Sequence, residues 1–255
     1  MTTTEFVVKP EGRELTCALT APEVSASAPA LLLTFSGTRQ MSTGRHPYDM
    51  AAKAFTDAGH YALSFDLPCH GDRIDAHGEG IAGFCADLVS GGDPFARFVA
   101  DGKAAIDACL ERGVGSSGKI LAYGISRGGY CALRLAAADP RIRGVASIAP
   151  VTDWRVLREF ADVRDRPEVE ATILDPFAPA LAHRSVFLII GNRDGRVGTH
   201  CCLRFATRLF EAEAGQNASA SELRVLNAPG HGLPDEGYLA GAEFLLRVCD
   251  HQKTP

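Results

Sequence analysis

Ser126, Asp194 and His231 each stand just past a short apolar run, and together they are the residue types that covalent acyl transfer requires. A serine hydroxyl is a poor nucleophile at neutral pH unless a neutral imidazole takes its proton during attack and later returns it to the leaving group. A carboxylate on the far imidazole nitrogen fixes the tautomer and stabilises the imidazolium. Ser126 lies in Gly124-Ile125-Ser126-Arg127-Gly128-Gly129, with small residues on both sides. Such a setting suits a sharp strand-to-helix reversal, where the serine adopts strained backbone angles and larger neighbours would collide. Asp194 closes Gly191-Asn192-Arg193-Asp194, and His231 sits in Pro229-Gly230-His231-Gly232. Asp153, after Ala149-Pro150, is a competing acid, and Asp194 has the alternative role of capping its own turn.

The elements that must carry these residues follow from the hydrophobic pattern. Glu5-Phe6-Val7-Val8 and residues 14–19 predict two strands, joined by a turn at Pro10-Glu11-Gly12. Continuous apolar runs at 30–35, 61–65, 119–123, 144–148, 186–190 and 223–226 predict buried strands. Helical spacing covers 48–58, 94–112, 130–138, 199–214 and 237–248. Residues 76–92 are glycine-rich and read as irregular, and 215–221 as a polar loop. Residues 151–182, punctuated by Pro167, Pro176 and Pro179, read as a small cap within one domain spanning 1–255. Alternating strands and helices imply an α/β protein, with a mostly parallel sheet of about eight strands covered on both faces. Functional groups in such sheets collect at the carboxyl ends of the strands. Ser126, Asp194 and His231 all fall there.

The order serine, acid, histidine along the chain resembles that of the α/β-hydrolase superfamily, and most closely the small dienelactone-hydrolase and prolyl-oligopeptidase-like esterases. The likeness rests on the stretch around Ser126, on Gly191-Asn192-Arg193-Asp194, on Gly230-His231-Gly232 and on Asp66-Leu67-Pro68-Cys69-His70-Gly71. It implies an α/β-hydrolase fold, Ser126 as nucleophile, His231 as base and Asp194 as its acid. It further implies an oxyanion hole built from the Arg127 N–H and, from the loop Ser36-Gly37-Thr38, the Thr38 N–H. Relatives commonly carry histidine where this chain has Ser36. The Arg127 side chain has two readings, packing beside the nucleophile or binding a substrate carboxylate. Arg39, Arg45 and His46 read as a solvated loop. Trp154, Phe160 and Phe177 form either a substrate pocket or the packing of the cap.

Composition narrows the function. A net charge of −5 offers no attraction to nucleic acid or anionic lipid. No apolar run reaches membrane-spanning length. The first residues lack a basic region followed by an apolar core, and the eight cysteines form no CxxC pair, so they read as reduced thiols of a cytoplasmic protein. The spacing of His70, Asp72 and His77 matches no common metal site, and no cofactor is implied. The expected activity is hydrolysis of a small-molecule ester, thioester or lactone. A peptidase and a non-catalytic binding protein of the same fold are the alternatives.

Overall fold

The computed structural model describes residues 2–214 and 221–251; part of the loop expected at 215–221 lies outside them. Eight strands form a single sheet in the order β1-β2-β4-β3-β5-β6-β7-β8. They are β1 (Thr2–Val8), β2 (Leu15–Ala21), β3 (Leu31–Phe35), β4 (Tyr61–Phe65), β5 (Ile120–Ile125), β6 (Ile142–Ile148), β7 (Ser185–Gly191) and β8 (Glu222–Leu226). β1 and β2 pair antiparallel around the turn at Pro10–Gly12, β2 pairs antiparallel with β4, and the remaining neighbours run parallel. The expected mostly parallel sheet is therefore what forms.

The helices are α1 (Arg39–Gly44), α2 (Met50–Asp57), α3 (Gly80–Val89), α4 (Pro94–Glu111), α5 (Arg127–Ala138), α6 (Pro167–Glu170), α7 (Ala178–Leu181), α8 (Thr199–Glu213) and α9 (Asp235–His251). Strand residues alternate between two cores, as side chains with a period of two must. Leu31, Leu33, Ile120, Ala122, Val186 and Leu188 point into the larger core under α4, α5 and α8. Leu32, Leu121, Tyr123, Phe187 and Ile189 point into the smaller one, closed by Phe55 of α2 and by Phe244 and Leu245 of α9. Burial on both faces is why these strands read as unbroken apolar runs.

Two segments depart from expectation or sharpen it. Residues 80–89 are helical rather than irregular: Phe84 and Leu88 share a buried face, and Gly83 packs where a Cβ would lie 2.5 Å from the Gly78 carbonyl oxygen. That glycine serves close packing and is not a helix breaker. Residues 151–182 make short turns and the helices α6 and α7. Trp154 and Phe160 are fully buried in the larger core, where Trp154 meets Phe84, Phe95 and Tyr130 at ring-centroid distances of 4.9–5.4 Å. No helix among the described residues is long and apolar enough to cross a membrane. All eight cysteines are free and buried.

Candidate active site

The turn between β5 and α5 holds Ser126 at φ 58° and ψ −119°, a left-handed conformation that a non-glycine residue adopts only under strain. The surroundings enforce it. A Cβ on Gly124 would lie 2.2 Å from the Gly128 carbonyl oxygen, and one on Gly128 would lie 2.1 Å from that of Phe35. Only glycine lets the helix start this close to β3 and β5. The Ser126 N–H donates to the Ile148 carbonyl at 2.8 Å, and its own carbonyl accepts from Gly129, Tyr130 and Val151. The serine is thereby pinned between β6 and the first turn of α5, with its hydroxyl at the strand ends.

His231 and Asp194 meet it there. His231 Nε2 lies 3.0 Å from Ser126 Oγ, and His231 Nδ1 lies 2.8 Å from Asp194 Oδ2. Asp194 is 2% exposed. Its other oxygen accepts from the Arg196 and Val197 N–H groups at 2.9 and 3.1 Å. Burial pushes this carboxyl up, but the His231 hydrogen bond and charge and the two amides outweigh burial, so its pKa sits below the usual carboxylate value. Asn192 joins the two loops, its N–H donating to the Leu226 carbonyl and its side-chain oxygen accepting from the Ala228 N–H. Asp153 is elsewhere engaged. It accepts the Arg155 N–H, capping a short turn, and pairs with the Arg155 and Arg204 guanidiniums at 2.8 and 3.0 Å.

The loop after β3 is braced from beneath. Arg39, expected in a solvated loop, is 6% exposed and pairs with Asp66 and Asp72 at 2.7 and 2.8 Å and with Glu5 at 2.7 Å. Asp66 also accepts the Arg39 and Asp72 N–H groups, tying the loop to Asp66–Asp72. An arginine can be buried where several carboxylates converge on its planar fork. Arg45 and His46 are exposed as expected. The Ser36 N–H is taken by Ser42 Oγ at 3.0 Å, and the Thr38 side chain accepts the Met41 N–H at the start of α1. His70 is buried, donates from Nδ1 to the Pro68 carbonyl at 2.8 Å and is pushed down to about 4 by burial and by the Arg127 charge.

A cavity of about 260 Å³ opens beside Ser126, His231 and Arg127. Its walls are Ser36, Met41, Tyr48, Ile125, Gly232 and Tyr238, with Thr38 and residues 151–182 outside the lining. Tyr48, Met41 and Tyr238 carried no sequence signal for this place, since isolated residues on amphipathic segments look alike whether they face a core or a cleft. Trp154 and Phe160 take the packing role. No group of three or more metal-ligating side chains occurs among the described residues.

An open, mostly parallel sheet with a serine at a strained strand-to-helix turn and a histidine and an aspartate at neighbouring strand ends defines the α/β-hydrolase class. Comparison with solved structures agrees. The fold is similar to dipeptidyl peptidase 4 of Porphyromonas gingivalis (TM-score 0.73, 17% identity, 96% of this chain and 35% of that one). It is similar to a cold-adapted esterase from an Arctic intertidal metagenomic library (0.71, 21%, 96% and 93%). It is also similar to a puromycin-hydrolysing peptidase of Mycobacterium tuberculosis (0.69, 17%, 97% and 38%). This chain thus spans about a third of the two peptidases and nearly the whole esterase. No curated protein sequence matches. The profile of the prolyl oligopeptidase family matches residues 96–247, which is more than half of the 255 residues, and the chain belongs to that family of serine hydrolases.

Proposed function

We propose that the protein hydrolyses an ester, thioester or lactone of modest size through an acyl-enzyme formed on Ser126. The observation that carries the reading is the unbroken hydrogen-bond chain Ser126–His231–Asp194, with links of 3.0 and 2.8 Å. Ser126 Oγ attacks the substrate carbonyl while its proton passes to His231 Nε2. Asp194 holds the ring by Nδ1–H and stabilises the imidazolium. The tetrahedral intermediate expels the alcohol or thiol, which takes the proton from His231. Water, deprotonated by the same imidazole, then releases the acid and restores the serine.

The Arg127 N–H at the start of α5 and the Thr38 N–H are the oxyanion donors in this scheme. The Ser36 N–H, on the cavity wall, is occupied by Ser42 Oγ. A cavity of about 260 Å³ lies just under the usual range for ligand pockets and suits a small acyl group.

A serine peptidase is the second reading, favoured by the matched family. Turnover of 4-nitrophenyl esters of rising chain length, of lactones and of acyl-thioesters is to be compared with that of aminoacyl 4-nitroanilides. Ester-type turnover that vanishes in Ser126→Ala, with little anilide cleavage, is the expected result. Preferential anilide cleavage supports the peptidase, and turnover that survives in folded Ser126→Ala removes both readings.

A further inference from the structure

Arg127 follows the nucleophile directly and is one of the residues lining the same cavity as Ser126 and His231, with its guanidinium beside Gly37. Its Nε is buried and has no hydrogen-bond partner among the described residues. Every other charged group around it has been dealt with. Glu159, an acid whose field reaches Arg127, spends both oxygens on Arg196 at 2.7 and 2.8 Å. Arg39 is matched by Glu5, Asp66 and Asp72, and Arg73 by Asp101. His70, packed beside the guanidinium near Gly37, is held neutral by burial and by the Arg127 charge. The acid of the triad, Asp194, faces the far side of the imidazole. Among the described residues, the cavity lining therefore presents one cation and no carboxylate.

A partly desolvated guanidinium without a counter-ion is costly, and burial pulls its pKa below the ordinary value. Such a group is compensated when a ligand brings the anion. Arginine's planar fork fits a carboxylate in particular, with two parallel N–H···O contacts. Tyr48 and Tyr238 at the cavity wall add polar edges beside otherwise apolar Met41 and Ile125. A short carbon chain on the apolar wall and a carboxylate on Arg127 fill this space.

We infer that the preferred substrate carries a carboxylate a few bonds from the scissile carbonyl, and that the Arg127 guanidinium selects it. The inference rests on the serine hydrolase reading above and narrows its substrate class. The carboxylate belongs either to the acyl part or to the leaving group, and both place the same anion on the same cation.

The test uses two matched pairs of esters. Mono-4-nitrophenyl glutarate against 4-nitrophenyl valerate puts the carboxylate on the acyl side. 4-Butyryloxybenzoate against phenyl butyrate puts it on the leaving group. In the wild type, one carboxylate ester is expected to exceed its neutral partner in kcat/KM by about 10- to 100-fold, as a charge-assisted contact would give. That ratio is expected to collapse towards one in Arg127→Met and to recover in part in Arg127→Lys. The favoured pair identifies the side that bears the anion.

Neutral esters turned over as well as both charged ones would overturn the inference and leave the serine hydrolase reading standing. A wild-type protein that turns over no ester and takes no fluorophosphonate on Ser126 would overturn both. Should Arg127→Met not fold, inhibition of the wild type by glutarate and by glutaramide decides. Selective inhibition by glutarate, relieved by salt, supports the inference, and equal or absent inhibition overturns it.

Discussion

Two regions at the carboxyl edge of the sheet each hold an aspartate and a histidine, one on the single loop after β4 and one shared between the loops after β7 and β8, and they use them in opposite ways. After β4, Asp66 is buried against Arg39 and Asp72, and His70 is 4% exposed with Nδ1 bonded to a backbone carbonyl. After β7 and β8, Asp194 is as deeply buried, but the His231 side chain stays 32% exposed and bridges it to Ser126. Residue type does not separate the two pairs. Access to the cavity and the chemistry of both ring partners do. A histidine whose ring nitrogens face a carboxylate and a hydroxyl can move a proton between them. One that is buried and tied to a carbonyl holds a loop in shape.

The sharpest way to break this contrast is to neutralise the acid on the Ser126 side. Asp194→Asn is expected to keep the fold and to lower kcat by on the order of 10⁴, because an amide no longer holds the imidazole in the tautomer that accepts the serine proton. Steady-state kinetics beside thermal melting measures both halves. An active Asp194→Asn protein would place the two pairs on an equal footing.

The His70 side is tested by pH and stability rather than by rate. His70 is held at about 4 in the folded protein, against ~6.5 for an unfolded chain. Below pH ~6.5 the unfolded chain takes up a proton that the folded protein refuses, so folding stability falls as pH drops from ~6.5 towards 4. Above ~6.5 that contribution is fully present, and its whole span is on the order of 3 kcal/mol. Urea unfolding between pH ~4.5 and 7 is expected to show a steeper acid loss in the wild type than in His70→Gln. Equal slopes would mean that His70 is not kept neutral.

Asp153 supplies the smallest effect and a control. It follows β6, at the start of the short turn Trp154–Val156, and is as buried as Asp194. Burial pushes it up, but Arg155, Arg204 and the Arg155 N–H more than offset this and hold its pKa below the usual value. Its charge is spent on arginines that are themselves about a third exposed, with side-chain exposures of 34% and 37%. Asp153→Asn is therefore expected to cost about 1 kcal/mol of stability and little activity. If it is the nearly inactive variant, the acid has been assigned to the wrong strand.

Much of the molecule is legible from sequence where one local requirement dominates. Gly124 and Gly128 announce the turn because nothing larger fits, and the apolar runs announce strands because both faces of the sheet are covered. Gly191-Asn192-Arg193-Asp194 and Gly230-His231-Gly232 stand out because each follows such a run directly. What stays hidden depends on partners distant in the chain. Arg39 looks like a surface arginine until Glu5, Asp66 and Asp72 converge on it. The helix at Gly80–Val89 is masked in part by Gly83, whose use is close packing against Gly78. Tyr48, Met41 and Tyr238 become cavity walls only when α1, α2 and α9 meet around the turn that carries Ser126.

The central claim is that Ser126 is an activated nucleophile and that the pair after β7 and β8 activates it. Intact and peptide mass spectrometry after brief exposure to a fluorophosphonate tests it most directly. The account predicts one adduct per chain, located on Ser126, strongly slowed in Asp194→Asn and formed at an undiminished rate in Asp153→Asn. A folded wild-type protein that takes no adduct, or carries it on another residue, would contradict the account.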